Sequence, residues 1–245
     1  MELGQHISQR YNEELEEIRS NVLKMGGLVE KQTNNAIKAL LNRDANLARK
    51  VIESDNAINQ LEIEIDEECT RVIAKRQPTA SDLRLVIAVV KVITDLERIG
   101  DEAEKIGRYS KKLAKKKTIN DIHSELSHLS EIVTQVLQDS LNAFARLNAN
   151  DAIQILSTEK AVNKEFDSIS RLLITHMMED PRNIKSVLRV TWCARSLERI
   201  AEHSQNIAEY VIYLVKGKDI RHSNLSEIRE KYFPHDNNEE ESLDP

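Results

Sequence analysis

Four carboxylates are the residues in this sequence best placed to do chemistry. Glu97 and Asp101 lie in the phrase DLERIGDEAEKIGRY from Asp95, and Glu198 and Glu202 lie in SLERIAEHSQNIAEY from Ser196. Each pair is spaced i, i+4, which on a helix sets the two side chains one turn apart on one face. Hard oxygen donors in that arrangement can hold a divalent cation, with water, bridging hydroxide or a neighbouring helix completing its six ligands. A solvated charged face is the plain alternative, since like charges at this spacing cost only a few tenths of a kcal/mol.

Three details bear on that choice. The pairs recur 101 positions apart in matching phrases. Small residues bracket them, Gly100 and Ala103 in the first and Ala201 and Ser204 in the second, leaving room for a ligand or a close helix. Asp101 has Lys105 at i+4, whereas Glu202 has Asn206 there, so an intrahelical ion pair accounts for the second pair less readily. His203 follows Glu202 directly and is turned from that pair by ~100°, which predicts a free surface or interface histidine rather than a ligand.

Other catalytic arrangements are missing. A ferritin-like di-iron bundle needs Glu-x-x-His on two helices plus inward glutamates from two more. This chain has one such spacing, Glu125 to His128. No phosphate-cradling glycine loop, nucleophile elbow, Cys-x-x-Cys or His-Glu-x-x-His motif occurs. The sequence predicts a non-enzyme, with a di-metal carboxylate helical-bundle enzyme as the alternative.

The elements that position these residues are helices. With 6 Gly, 4 Pro and 4% aromatics, the composition is that of long packed helices. Pro78 and Pro181 suit helix starts, Gly217 a helix end, and the Asn42–Asp44 and Asn148–Asp151 stretches suit tight turns with Asx caps. The pattern predicts helices over 6–42, 45–76, 79–116, 121–147, 151–178 and 182–216. LARKVIESDNAIN from Leu47 matches AIQILSTEKAVN from Ala152 at an offset of 104, and the prolines are 103 apart. The expected fold is all-α: two tandem, sequence-related antiparallel three-helix bundles made of six long helices. The boundaries are 1–117 for the first repeat, 118–221 for the second and 222–245 for an acidic, disordered tail.

The third helix of each repeat carries a 4-3 apolar seam. Leu85, Val89, Val92, Leu96, Ile99, Ala103 and Ile106 form one; Val190, Cys193, Leu197, Ile200, Ser204, Ile207, Val211 and Leu214 form the other. That register makes Cys193 a small buried hydrophobe. It also sends Glu97, Asp101, Glu198 and Glu202 outward, opposite the seam.

Residues 222–245 carry a net −5 of the chain's −6, so the body is nearly neutral and has no global field for wrapping nucleic acid. The run RYSKKLAKKK, Arg108–Lys117, holds six basic residues and no acid. It reads either as a cationic helix end favoured by the macrodipole or as a docking patch for an acidic partner or anionic membrane. No apolar run is long enough to span a bilayer, and a cytosolic protein is expected.

The duplicated unit with DLERIGDEAEKI and SLERIAEHSQNI, together with MGGLVE (25–30), IAKRQPTASDLR (73–84) and YLVKGKDIRH (213–222), resembles the PhoU family of regulators of bacterial phosphate uptake. The resemblance spans residues 5–222. It implies two packed three-helix bundles with multinuclear iron or other metal sites (manganese, zinc or magnesium) at Glu/Asp-x-x-x-Asp motifs, which fall here on Glu97/Asp101 and Glu198/Glu202. The second motif departs from the pattern, with Glu where Asp is usual. The resemblance further implies a dimeric cytoplasmic adaptor, peripheral to the inner membrane through its partners. Those partners would be a phosphate-responsive sensor histidine kinase and the ATPase subunit of a phosphate ABC transporter, and the outcome repression of the phosphate-starvation regulon.

Overall fold

The structure is a computed structural model that describes residues 9–115, 123–221 and 223–233. Helices α1 (Gln9–Leu41), α2 (Ala45–Arg76) and α3 (Ala80–Leu113) make the first antiparallel bundle. The second consists of α4 (His123–Arg146), α5 (Ala149–Leu156) with α6 (Glu159–Glu179), and α7 (Ile184–Lys216). No strand occurs among the described residues.

The expected punctuation is realised in side-chain caps. Asp44 accepts from the amides of Asn46 and Leu47 at 2.9 and 3.0 Å, and Asn148 accepts from those of Asn150 and Asp151 at 2.9 and 3.3 Å. Gly217 ends α7 in the left-handed conformation, φ 71°, where a side chain would be strained.

One expected helix, 151–178, is broken in two. The hydroxyls of Ser157 and Thr158 donate back to the carbonyls of Gln154 and Ile155. Such local bonds compete with the helical ladder, and the chain re-aims between α5 and α6. The stretch assigned to a disordered tail also holds a two-turn helix, α8 (Leu225–Tyr232), begun by Asn224. From residue 234 onward that assignment lies outside the described residues.

Both 4-3 seams are core: every named α7 seam residue and all those of α3 except half-buried Leu85 are buried. Cys193 is fully buried, and desolvation pushes its thiol well above the ordinary range. Yet α3 and α7 each bury a second face, because the most extensive helix contact in the molecule is between them. They cross antiparallel: Lys91 lies over the rings of Tyr210 and Tyr213 at 5.5 and 5.4 Å, and Glu102 accepts from the Ser196 hydroxyl at 2.7 Å. The two bundles therefore sit back to back on their third helices.

Candidate functional site

The α3–α7 seam is polar. Asp95, almost fully buried, accepts from His203 Nδ1 at 2.7 Å and from Asn206 Nδ2 at 3.1 Å. Burial first, and then the charge of this carboxylate and the bond to it, push the Tyr210 phenol well above its usual range. Of the two places the sequence allows His203, free surface or interface, the structure has the interface: it is 8% exposed and ties the two bundles together. Glu102 makes a matching contact, receiving Ser196, Lys105 Nζ at 3.0 Å and Arg199 Nε at 3.3 Å. Hydrophobic periodicity carries no signal for such contacts, because the second buried face is built from polar and small residues.

Glu97 and Asp101 stand on the outer side of α3, both half-buried, and neither is in an ion pair among the described residues. Lys105, expected beside Asp101, is drawn to Glu102 instead. Burial first, then the charges of Asp101, Glu62 and Asp55, raise the Glu97 carboxyl above its ordinary value. Glu62 and Asp55 come from α2, which lies close because Gly100 has no side chain. A Cβ there would meet Gln32 Oε1 at 3.2 Å and Asp55 Oδ1 at 3.3 Å. Asp55 itself is held by Gln32 Nε2 at 3.1 Å and Asn59 Nδ2 at 3.0 Å. The buried Oδ1 of Asn59 is left without a partner.

The second pair is different, and the outward reading needs correction here. Glu198 is only 6% exposed, because α3 and α6 cover the flanks of α7. Arg195, three residues upstream, donates to Glu198 Oε2 and lies 3.8 Å from Glu202 Oε1. A guanidinium therefore stands between the two carboxylates. Burial nevertheless outweighs Arg195 and, with Glu202 and Asp167 of α6, leaves the Glu198 carboxyl raised. Glu202 is 47% exposed and faces the opening lined by Glu159, Glu209 and α8. The Asn206 comparison pointed the wrong way: the cation was at i−3 of Glu198, in the Arg-Ser-Leu-Glu spacing, not at i+4 of Glu202.

Among the described residues no three His, Cys, Asp or Glu side chains stand close enough together to hold an ion unaided. The donor set around Glu97 and Asp101 nonetheless suits a hard cation: all oxygen, mutually repelling and in no ion pair among the described residues, with Arg98 and Arg108 acting only at a distance. Around Glu198 and Glu202 it does not, unless Arg195 swings away.

The molecule defined by these features is an all-α protein of duplicated three-helix units, joined on a polar seam and carrying paired carboxylates. A profile described as PhoU domain matches residues 22–110 and again 126–211. The chain belongs to the PhoU family. It is 49% identical over 229 residues to the phosphate-specific transport system accessory protein PhoU homolog of Pseudomonas aeruginosa, covering 94% of this chain and 95% of that one. To the PhoU accessory protein of Escherichia coli strain K12 it is 47% identical, with 93% and 94% covered. The crystal structure of PhoU from P. aeruginosa superposes with TM-score 0.83 at 50% identity, over 85% of this chain and all of that one. The PhoU crystal structure from Streptococcus pneumoniae gives 0.79 at 30% identity, over 85% and 98%.

Proposed function

We propose that this protein is a non-enzymatic adaptor of phosphate transport that signals phosphate sufficiency. It restrains a sensor histidine kinase and modulates the ATPase of a high-affinity phosphate ABC transporter, and so represses the phosphate-starvation genes. The observation that carries the reading is the near full-length similarity to proteins named phosphate-specific transport system accessory proteins. No described helix is long and apolar enough to cross a membrane, so contact with a membrane transporter would be peripheral, from the cytoplasmic side.

Within that reading the metal site is Glu97 and Asp101, with water or bridging hydroxide completing the ligand set. Divalent or trivalent iron, manganese, zinc or magnesium fits oxygen donors of this kind. A bound cation would neutralise this patch and change the charge offered to a partner. Glu198 and Glu202 are the weaker pair, since Arg195 already pairs with Glu198 and lies close to Glu202. Control of this kind is linkage: whatever binds one surface state better shifts its population.

The test is affinity capture on tagged protein from membranes of phosphate-replete and phosphate-starved cells. Recovery of both the kinase and the transporter ATPase supports the reading, and recovery of neither overturns it. Elemental analysis of wild type and of the Glu97→Ala/Asp101→Ala double variant decides the metal. Equal content in the two removes that site from the account.

A further inference from the structure

One end of the molecule combines free cations with exposed apolar side chains. The antiparallel register that sets Asp95 against His203 and Glu102 against Ser196 brings the last turns of α3 beside the first turns of α7. Lys105 and Arg199 both reach Glu102 on the outer side of that seam. Two helical turns further along the same stripes stand Lys112 on α3 and Trp192 on α7. Residues seven apart share a helix face. Trp192 is 55% exposed, and Leu188 and Ile184 continue its stripe toward the helix start, both exposed. Across the turn, Ile174 and Met178 on α6 are exposed as well. They lie seven and eleven residues beyond Asp167, the α6 carboxylate that acts on Glu198, and so share its face.

The charges around this apolar strip are unbalanced. Lys111, Lys112, Lys115 and Lys185 are exposed, and none is in an ion pair among the described residues. Of the acids near them, Glu104 is paired with Arg108 at 2.6 Å and Asp180 with Arg182 at 2.9 Å. That leaves exposed Glu53, next to the Ile52 that lines one opening with Lys111, Lys112 and Lys115, against four lysines. The chain's own acidic C-terminus is not the natural cover. The α8 end of the chain lies with the far end of α7, where Lys216 covers the Phe233 ring at 4.8 Å. The strip lies about 36 Å (Trp192) to about 48 Å (Ile184) away along α7 at ~1.5 Å per residue. Residues 234–245 would have to be stretched to their limit of ~40 Å to approach it.

We propose that this end of the bundle pair docks directly on an anionic lipid surface, with Trp192, Leu188 and Ile184 entering the headgroup layer and Lys112, Lys115 and Lys185 pairing with lipid phosphates. The chemistry favours a membrane over an acidic protein. Protein interfaces are depleted in lysine and enriched in arginine, whereas flexible lysines around a tryptophan-bearing apolar strip suit the lipid boundary. The strip also lies on the outside of helices rather than in a groove. Docking there would hold the side that carries Glu97 and Asp101 close to the membrane without any protein partner.

Trp192 is the single tryptophan of the chain, so its fluorescence reports this surface alone. The experiment adds vesicles of one part phosphatidylglycerol to two parts phosphatidylcholine to the full-length protein, reading indole emission and co-sedimentation. The expected result is a blue shift and sedimentation with these vesicles, neither with pure phosphatidylcholine, and weakening as salt is raised. Each basic residue near such a surface contributes about five-fold in partitioning, so Lys112→Glu/Lys115→Glu should lose more than about 25-fold. Circular dichroism of that variant establishes that it is folded, and it retains the tryptophan reporter. Binding without a Trp192 shift, or binding unchanged in the double variant, overturns the proposal. So does a shift produced by poly-glutamate but not by vesicles, or an emission already blue in the free protein that reddens on dilution, which would mark a second copy as the occupant.

Discussion

Arg195 is the residue whose removal tells most about the second carboxylate pair. Arg195→Ala takes the counter-charge from Glu198, which is 6% exposed, and from half-exposed Glu202. Deleting one partner of a fully buried ion pair costs ~3–5 kcal/mol. The Arg195 side chain is 41% exposed, so water reaches the vacated space and about 1–2 kcal/mol is the expected loss. At roughly 2–4 °C per kcal/mol for a chain of this size, the melting temperature should fall by about 2–8 °C. The same change opens the oxygen pair to a cation. A ligand at 100 times its dissociation constant adds ~2.7 kcal/mol to the folded state, so manganese should return the loss and more. Thermal melts of wild type and Arg195→Ala, with and without manganese and paired with elemental analysis, measure both effects. The metal-induced increment should be larger in the variant, with about one further ion per chain. An increment and stoichiometry equal to wild type would refute the idea that the guanidinium occupies a cation position.

Four other outcomes are expected. Glu97→Gln should raise the thermal stability of metal-free protein at neutral pH, because burial and three neighbouring acids disfavour its charge, and should lose the metal-induced gain seen in melts. Glu209 is lifted to about 7, chiefly by desolvation. Its folded value lies above the unfolded one, so stability falls as pH rises from about 4.5 to 7 and levels off beyond. Urea titrations should show a difference on the order of 2 kcal/mol across that window, absent in Glu209→Gln. A double-mutant cycle on Asp95→Ala and His203→Ala, read by urea unfolding, should give a coupling of about 1–3 kcal/mol; near-zero coupling would remove their bond from the energetics. Asp44→Ala should cost about 1 kcal/mol through loss of the α2 cap.

The sequence and the structure agree where one force acts alone. The 4-3 apolar spacing of α3 and α7 reports burial against their own bundles, and Asp44, Asn148 and Gly217 report chain turns that only a few residue types satisfy. The sequence misleads where a second helix face is buried. Glu198 looks solvent-facing from the seam register, yet α6 and α3 close over it, and nothing apolar announces it. The small residues beside the carboxylates had two readings, room for a ligand or room for a helix. At Gly100 the answer is a helix, with the α2 atoms Asp55 Oδ1 and Ile58 Cδ1 each 3.3 Å from where a Cβ would sit. The break between α5 and α6 was visible in Ser157-Thr158, but it competes with a good amphipathic pattern and is decided by hydroxyl bonds.

The contacts across the α3–α7 seam also repay comparison with one another. Asp95 and Ser196 occupy equivalent places in the two repeats, as do Glu102 and His203, each 101 apart. The Asp95–His203 and Ser196–Glu102 bonds are therefore one contact made twice, related as in a two-fold dimer. In a true homodimer both copies would have to be identical. Two first repeats joined this way would set Asp95 against Glu102 twice, burying four acids, and two second repeats would offer only serine against histidine. Apart from Lys105 on Glu102, the donors to these acids come from the unlike half. The repeats thus discriminate against pairing with their own kind, so the two bundles of one chain choose each other even where neighbouring molecules present the same helices.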